Sequence, residues 1–377
     1  MWFGTYPTVP TYVLSTGEWL QQFVQKNPQM IGKSVLDRFG ADIPFIPKVG
    51  YMCAAFFFFW VVLLTHSHQI LSFCKALPLQ IHPHKKLAEK LHDVSPDKFG
   101  DSNHKPEIAI ALSKFELFVG WKPIQDIEAL MKLKPLERFT PPQYDQFTDE
   151  TLMLTCKSLL SASPSEVTET VKALQKLPES NFGAYPYIPG MLGRIAKQYG
   201  DSDNGGLVTT LLMNYLTLGP GDSVLVPADS IHAYLEGDIM ECMARSDNVL
   251  NTGFCPRVDR DSVSLFSRAL TFKPHSAEES LLPRKKSDKG MAGKTDVYDP
   301  PIEEFSVIST ALCPGETETH KAILGPSLMI VTKGCGKMNV PGKTVDLCEG
   351  FVYFIGQGVA CDFSTDKGLQ VFRPYVD

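Results

Sequence analysis

The sequence lacks the cysteine pattern of a disulfide-stabilised or thiolate-ligated protein. Its nine cysteines among 377 residues stand singly, and no two of them have C-x-x-C spacing. Dense cysteine frameworks are typical of small secreted domains, and closely paired cysteines are typical of structural zinc sites. The sequence therefore predicts free thiols in a reducing compartment.

An excess of positive charge is also absent. The net charge is −6 at pH 7, from 36 Lys and Arg against 42 Asp and Glu, so charge gives no support to a nucleic-acid partner. The first residues contain no basic segment followed by an apolar one, and we expect no secretory signal and a cytoplasmic location. The length and the 44% hydrophobic content predict a globular protein of two or three domains.

One uncharged run departs from this pattern. Residues 49–64 read VGYMCAAFFFFWVVLL, and the polar stretch THSHQ follows them. The run is shorter than the roughly 20 apolar residues that a membrane-spanning helix requires. A membrane anchor is therefore an alternative that the length of the run disfavours.

Two short stretches and one later histidine offer ligands for a metal. Gln80 and His82 are two residues apart, so on a strand their side chains leave the same face. Glu107 adds a carboxylate with Lys105 beside it, and His232 follows a strand-like run. Such a mixed nitrogen and oxygen set, open to water, favours a catalytic Zn²⁺ or similar divalent ion. An iron(II) oxygenase is an alternative, but its usual site has three protein ligands rather than four.

Apolar periodicity predicts a mainly β chain with an α-helical insertion, organised as two β-barrels and a helical domain. The predicted boundaries are 1–122 for the first part of the catalytic barrel domain, 123–206 for the helical domain, 207–260 for the rest of the catalytic domain and 261–377 for the second barrel. The pattern also predicts a helix starting at Pro164, a helical patch over 207–218 and a surface linker over 276–301. The second barrel supplies only His320, so we expect no metal there.

Several segments, in order along most of the chain, resemble the type I mannose-6-phosphate isomerases, zinc enzymes built on cupin barrels, and in particular their fungal members. The matching segments are residues 80–89 (QIHPHKKLAE), 103–107 (NHKPE), 237–244 (GDIMECMA), 246–249 (SDNV), 313–317 (CPGET) and 350–354 (GFVYF). This resemblance implies two cupin-type barrels and the interconversion of mannose 6-phosphate and fructose 6-phosphate, which feeds GDP-mannose synthesis. It also implies a cytoplasmic monomer whose partner is a small sugar phosphate.

The resemblance further implies a ligand set and a cleft. One zinc ion per chain would be held by Gln80, His82, Glu107 and His232. The catalytic positions would be Lys105, Glu241 and Asp247, and the substrate-binding positions would be Lys85 and Arg257, with Arg257 facing the phosphate. Isomerisation moves a proton between C1 and C2, which requires a Lewis acid and a positioned acid or base.

Each of these polar residues also has a simpler interpretation. Lys105 could be a surface lysine, Glu241 could be a structural carboxylate paired with a base, and Asp247 could cap a turn with its neighbours.

The chain departs from the family where catalysis depends on charge. The family continues the SDNV segment with an arginine that is credited with a catalytic role, and Asn251 stands in that position. The loss of one preorganised electrostatic donor commonly costs about 10²–10³ in rate. Arg245 is nearby in sequence and could substitute. The alternative function is thus a relative that binds metal and sugar phosphate, or a partner, without turnover.

Two further departures concern the N-terminal part. Residues 49–69 interrupt a segment that is continuous in the family, and we predict that they are a translated intron. The family motif Trp-x-Gly-Thr lies well inside its N-terminal domain, whereas it begins at Trp2 in this chain. Either the start codon is misassigned, or the strands that precede this motif in the family are missing and the first barrel exposes unpaired backbone at its edge.

Overall fold

The structure is a computed structural model that describes residues 3–7, 10–48 and 71–377. The predicted insertion over 49–69 and the apolar run within it lie outside the described residues. In the part of the chain that is described, no helix is both long and apolar enough to cross a bilayer. The first elements are a short hairpin and two helices: β1 (Tyr12–Val13), β2 (Glu18–Trp19), α1 (Leu20–Lys26) and α2 (Lys33–Phe39).

The first large sheet has nine strands and carries every predicted metal ligand on or next to a strand. Its strands are β3 (Phe45–Lys48), β4 (Leu71–Phe73), β5 (Leu79–Ile81), β6 (Glu107–Ala111), β7 (Phe115–Trp121), β8 (Met213–Leu218), β9 (Ser223–Val226), β10 (His232–Ala244) and β11 (Leu250–Gly253). The long strand β10 is central: its first half pairs with β5 and β7, and its second half pairs with β6, β3 and β4. This strand therefore joins both halves of the curled sheet.

Strands β3 and β4 lie end to end on the same edge of β10. Lys48 pairs with Glu241, and Leu71 pairs with Ile239. Only Met240 lies between those two partners on β10, so a continuous strand has room for one residue between Lys48 and Leu71. Removing residues 49–69 leaves one residue there. This register supports the prediction that residues 49–69 are an insertion into a single strand.

Deleting residues 49–69 is expected to stabilise the protein. Closing a loop of this length costs roughly 2–3 kcal/mol of chain entropy, which a continuous strand would not lose. The measurement is the urea midpoint of the parent and the deletion variant, followed by far-UV circular dichroism. A variant with residues 49–69 replaced by a Gly/Ser linker of equal length is the control and should gain less. A lower midpoint in the deletion variant would contradict the expectation.

Helices follow β5 and fill the interval between β7 and β8. They are α3 (Lys85–Val94), α4 (Ile124–Met131), α5 (Asp149–Ser161), α6 (Pro164–Gln175), α7 (Ile188–Tyr199) and α8 (Asn204–Leu212), and α9 (Val263–Ala269) comes after β11. The predicted start at Pro164 is confirmed, because Ser163 and Glu166 form a reciprocal capping box around it. The predicted helical patch over 207–218 is wrong in its second half. Residues from Met213 onward form β8, because pairing with β7 outweighs their local helical pattern.

The second large sheet is built from the last quarter of the chain. Its strands are β12 (Lys285–Lys286), β13 (Thr295–Tyr298), β14 (Ser306–Leu312), β15 (Thr317–His320), β16 (Ser327–Val340), β17 (Lys343–Cys348), β18 (Val352–Ile355), β19 (Cys361–Ser364) and β20 (Leu369–Tyr375). The predicted linker over 276–301 is partly wrong, because it contains β12 and β13. Thr295 and Tyr298 are buried where β13 pairs with β14, which gives this polar segment a place in the sheet.

The two large sheets share one apolar core with the N-terminal helices. Val35 of α2, Ile110 of β6 and Met240 of β10 belong to the same buried cluster as Leu328 of β16 and Phe372 of β20. The prediction of a mainly β chain with a helical insertion is confirmed. The four domain boundaries stay a prediction.

Candidate metal centre

Three buried side chains meet where strands of the first sheet begin or end. Glu107 opens β6, His232 opens β10, and His82 directly follows β5. Their ligand atoms all lie within 4.8 Å of one another. His82 Nε2 lies 3.1 Å from Glu107 Oε1, and His232 Nε2 lies 3.8 Å from Glu107 Oε2. The predicted convergence of these three residues is therefore confirmed.

In both histidines, a hydrogen bond from Nδ1 to a backbone carbonyl fixes the orientation of the ring and hence of Nε2. His82 Nδ1 lies 2.8 Å from the carbonyl oxygen of Asn248, and His232 Nδ1 lies 3.0 Å from that of Ser230. Each Nδ1–H donates to its carbonyl, which leaves the Nε2 lone pair directed at the centre. Both Nε2 atoms are buried without a hydrogen-bond partner. Two unpartnered imidazole nitrogens beside a carboxylate fit a divalent cation.

The protonation states also fit a cation. Burial and the neighbouring His82 lower the pKa of His232 to about 4, so this imidazole is neutral at pH 7. Burial works to raise the pKa of Glu107, but His82, Lys105 and His232 together hold it well below its usual range. Glu107 is therefore a carboxylate. Neutral imidazole and ionised carboxylate are the forms in which these side chains bind metals.

Gln80 lies in the same row as one of these ligands. It pairs with His232 on one side and with Asn251 on the other. Directly opposite residues of antiparallel strands present their side chains on the same face. Gln80 is half-buried on that face. This register supports its predicted ligand role, which stays a prediction.

A second layer of charge surrounds Glu107. Lys105 is buried, with its Nζ 3.4 Å from Glu107 Oε1, so it is not a surface lysine. Glu241 is buried on β10, with its Oε2 3.1 Å from Lys48 Nζ. The Tyr234 hydroxyl donates to Glu107 Oε2 at 3.5 Å.

Lys48 and Tyr234 are not among the residues predicted from the sequence. Lys48 follows the buried residues Phe45 and Ile46, and a lysine that ends a buried strand was the available signal.

Burial and charge set the proton affinities of this second layer. Burial raises the pKa of Glu241, and Glu107 adds to the effect while Lys48 opposes it. Burial works against the Lys48 ammonium, yet Glu241 and Glu107 raise the pKa of Lys48 above its ordinary value. Burial, reinforced by Glu107, holds the pKa of Tyr234 well above its usual range, so it remains a neutral donor. The site thus contains a carboxyl with raised proton affinity next to a firmly charged ammonium.

Asn251, which the resemblance aligns with the family arginine, pairs with Gln80. Its Oδ1 is buried without a hydrogen-bond partner, and its backbone N–H donates to Asp261 Oδ2 at 2.9 Å. Asp261 forms an ion pair with Lys98. Arg245, the suggested substitute for that arginine, makes other contacts, and its role stays a prediction. Its guanidinium contacts the carbonyl of Thr5, the Asp42 carboxylate and the Tyr6 ring, because the N-terminal segment packs against it.

The other predicted residues lie nearer the surface. Asp247 is exposed, and its backbone N–H donates to Asp101 Oδ2 at 3.0 Å, so the carboxylate itself does not make this turn contact. Lys85 is exposed at the first position of α3. Arg257 is exposed in the short 3₁₀ helix Arg257–Asp259. The structure therefore buries Lys105 and Glu241 in the centre and leaves these three residues exposed, with Asp247 near enough for the charges of Lys105 and His82 to act on it.

Solved structures share this fold over the whole chain. A zinc-bound mannose 6-phosphate isomerase superimposes with a TM-score of 0.78 at 22% identity, covering 100% of this chain and 90% of the other. A variant of phosphomannose isomerase from Salmonella typhimurium gives a TM-score of 0.80 at 22% identity with the same coverage. The two predicted barrels are accordingly of the cupin type.

Sequence relatives extend the likeness. A sequence model described as phosphomannose isomerase type I, catalytic domain, matches residues 63–124. The mannose-6-phosphate isomerase of Schizosaccharomyces pombe is 32% identical over 396 residues, covering 100% of this chain and 90% of the relative. That of Saccharomyces cerevisiae is 32% identical over 405 residues, covering 100% and 89%. With its ligand residues assembled and its whole length aligned, the chain belongs to the type I phosphomannose isomerase family.

Proposed function

We propose that this chain interconverts mannose 6-phosphate and fructose 6-phosphate with one zinc ion. The observation that carries the proposal is the buried centre in which the unpartnered Nε2 atoms of His82 and His232 face Glu107. The aligned relatives are named mannose-6-phosphate isomerase, and one structural neighbour is zinc-bound. Family, fold and donor set thus support the same activity.

The proposed zinc ligands are Gln80, His82, Glu107 and His232. Zinc held there would act as a Lewis acid and stabilise negative charge on the sugar oxygens. The two imidazoles are already oriented for a metal before it binds. The carbonyls of Asn248 and Ser230 hold the two rings in one orientation, which limits reorganisation when the ion binds.

Glu241 is the proposed carrier of the proton that moves between C1 and C2. A general acid or base works best when its proton affinity is close to the operating range, and the raised pKa of Glu241 moves it in that direction. The Lys48 ammonium, 3.1 Å away, stabilises the carboxylate that forms when Glu241 gives up its proton. Glu241 therefore has the surroundings needed both to accept and to release a proton.

The remaining cationic and acidic residues are proposed to bind the sugar phosphate. Lys105 lies close enough to the centre to donate to a sugar oxygen, and Asp247 at the rim can accept from a hydroxyl. Lys85 and Arg257 are exposed cations, and we assign them to the phosphate end of the substrate. The enzyme is proposed to act as a cytoplasmic monomer that supplies GDP-mannose synthesis.

A second candidate function rests on Asn251. An asparagine with an unpartnered Oδ1 supplies no fixed cation at a position where the family has arginine. The chain would then bind zinc and sugar phosphate, or a partner, without turning substrate over.

The deciding measurement is turnover by protein of known zinc content. We expect fructose 6-phosphate to form from mannose 6-phosphate, observed directly by proton NMR without coupling enzymes. The Glu107→Gln variant, purified in parallel, reports any isomerase carried over from the expression host. Full zinc occupancy without turnover above this control would support the second candidate. The absence of both zinc binding and turnover would contradict both functions.

A further inference from the structure

Two cysteines lie directly opposite each other in the second sheet. Cys335 of β16 pairs with Cys348 of β17 in an antiparallel ladder, and both are free thiols. The hairpin between them closes through Pro341 and Gly342. The pairing is a consequence of the fold, because the two residues are far apart in sequence compared with a C-x-x-C motif.

The hydrogen bonds identify the type of pair. The Glu349 N–H donates to the carbonyl of Gly334 at 3.0 Å. Gly334 and Glu349, the pair next to the two cysteines, are therefore a hydrogen-bonded pair. The Cys335 N–H instead donates to Gly368, which lies on the other side of the strand. The cysteines therefore form a non-hydrogen-bonded pair, in which the Cα atoms are about 4.5 Å apart. That separation is within the range of about 4.4–6.8 Å that a disulfide spans.

The pair is also on the accessible side of the hairpin. Towards the turn of the hairpin, the next pair on the same face is Lys337 and Asp346, and both residues are exposed. Leu347, on the opposite face, is buried. Both cysteines are half-buried, unlike the fully buried Cys156 and Cys242 of the helical and catalytic parts. A small oxidant can therefore reach them without unfolding of the barrel.

We propose that Cys335 and Cys348 are a site of reversible oxidation to a cross-strand disulfide. A peroxide converts one thiol to a sulfenic acid with release of water. The second thiol displaces a second water and forms the S–S bond, so two thiols lose two electrons and one peroxide is reduced to two waters. A dithiol reductant restores both thiols by exchange.

Peptide mapping tests this site. The protein, treated with hydrogen peroxide, is alkylated and digested with trypsin without reduction. We expect residues 334–337 (GCGK) to be joined to residues 344–367, with a mass two hydrogens below the sum of the two peptides, and dithiothreitol to separate them. Fragmentation distinguishes Cys348 from Cys361, which lies in the same peptide.

Single variants complete the test. Cys348→Ser should abolish the linked peptide, whereas Cys313→Ser, which removes an exposed thiol of the same barrel, should leave it unchanged. The proposal is overturned if Cys335 and Cys348 stay reduced while Cys313 is oxidised. A link from Cys335 to Cys361, or one that forms only in denaturant, also overturns it.

Discussion

Glu107→Gln should lose its zinc and fall in turnover by about 10³-fold, since a Lewis acid supplies several kcal/mol of transition-state stabilisation. The substitution keeps the size of the side chain but removes its charge. Two imidazoles and a neutral amide bind a divalent ion more weakly than a set that includes a carboxylate. The change would also leave the buried Lys105 ammonium without the carboxylate that lies 3.4 Å away.

Metal content by mass spectrometry and kcat/KM on mannose 6-phosphate measure the effect. Glu116→Gln is the matched control, because Glu116 is a mostly buried carboxylate in the same sheet that pairs with Lys114 and Arg194 instead of the metal centre. It should keep its zinc and its turnover. Retention of full zinc occupancy in the Glu107 variant would contradict the ligand assignment.

Asn251→Arg should raise kcat/KM by about 10²–10³-fold, since this is the usual effect of one preorganised electrostatic donor. The register places this side chain beside Gln80, in the row that begins with His232. The nearby carboxylate of Asp261 already pairs with Lys98, which reduces its tendency to neutralise a new guanidinium. The added charge would therefore be available to the substrate.

The test compares the parent, Asn251→Arg and Asn251→Gln at equal zinc occupancy. The glutamine variant adds length without charge and should show no gain. Asn251→Lys should gain less than the arginine variant, because an ammonium lacks the planar fork of donors. Equal rates in all four proteins would mean that another group supplies the charge. The explanation that turnover is impaired because Asn251 replaces a cation would then be wrong.

Features that depend on neighbouring residues could be predicted from the sequence. The alternation of Gln80 and His82, the carboxylate of Glu107 and the histidine after a strand-like run were each visible in short segments, and the fold brings the two histidines and the carboxylate together. The helix start at Ser163 was equally local, since it depends on a contact between residues three apart. Resemblance to the family then supplied the chemistry that spacing alone left open.

Contacts between residues far apart in sequence could not be predicted. Lys48 reaches Glu241 only because β3 lies along β10, nearly two hundred residues later. Residues Met213 to Leu218 form a strand because they pair with β7. The pattern of these six residues alone does not indicate that partner. The contact between the Arg245 guanidinium and the Tyr6 ring also joins residues that are far apart in sequence. Such contacts are set by topology, which a single sequence does not specify.

The end of β3 at Lys48 has a consequence for catalysis. Insertions persist mainly in surface loops that are remote from function, where drift in length and sequence is harmless. Here the break falls directly after Lys48, whose ammonium lies 3.1 Å from Glu241. A displacement of roughly 1 Å in an active site can cost about 10²-fold in rate. Turnover would therefore depend on how the chain continues after Lys48, since any shift of this ammonium acts directly on Glu241.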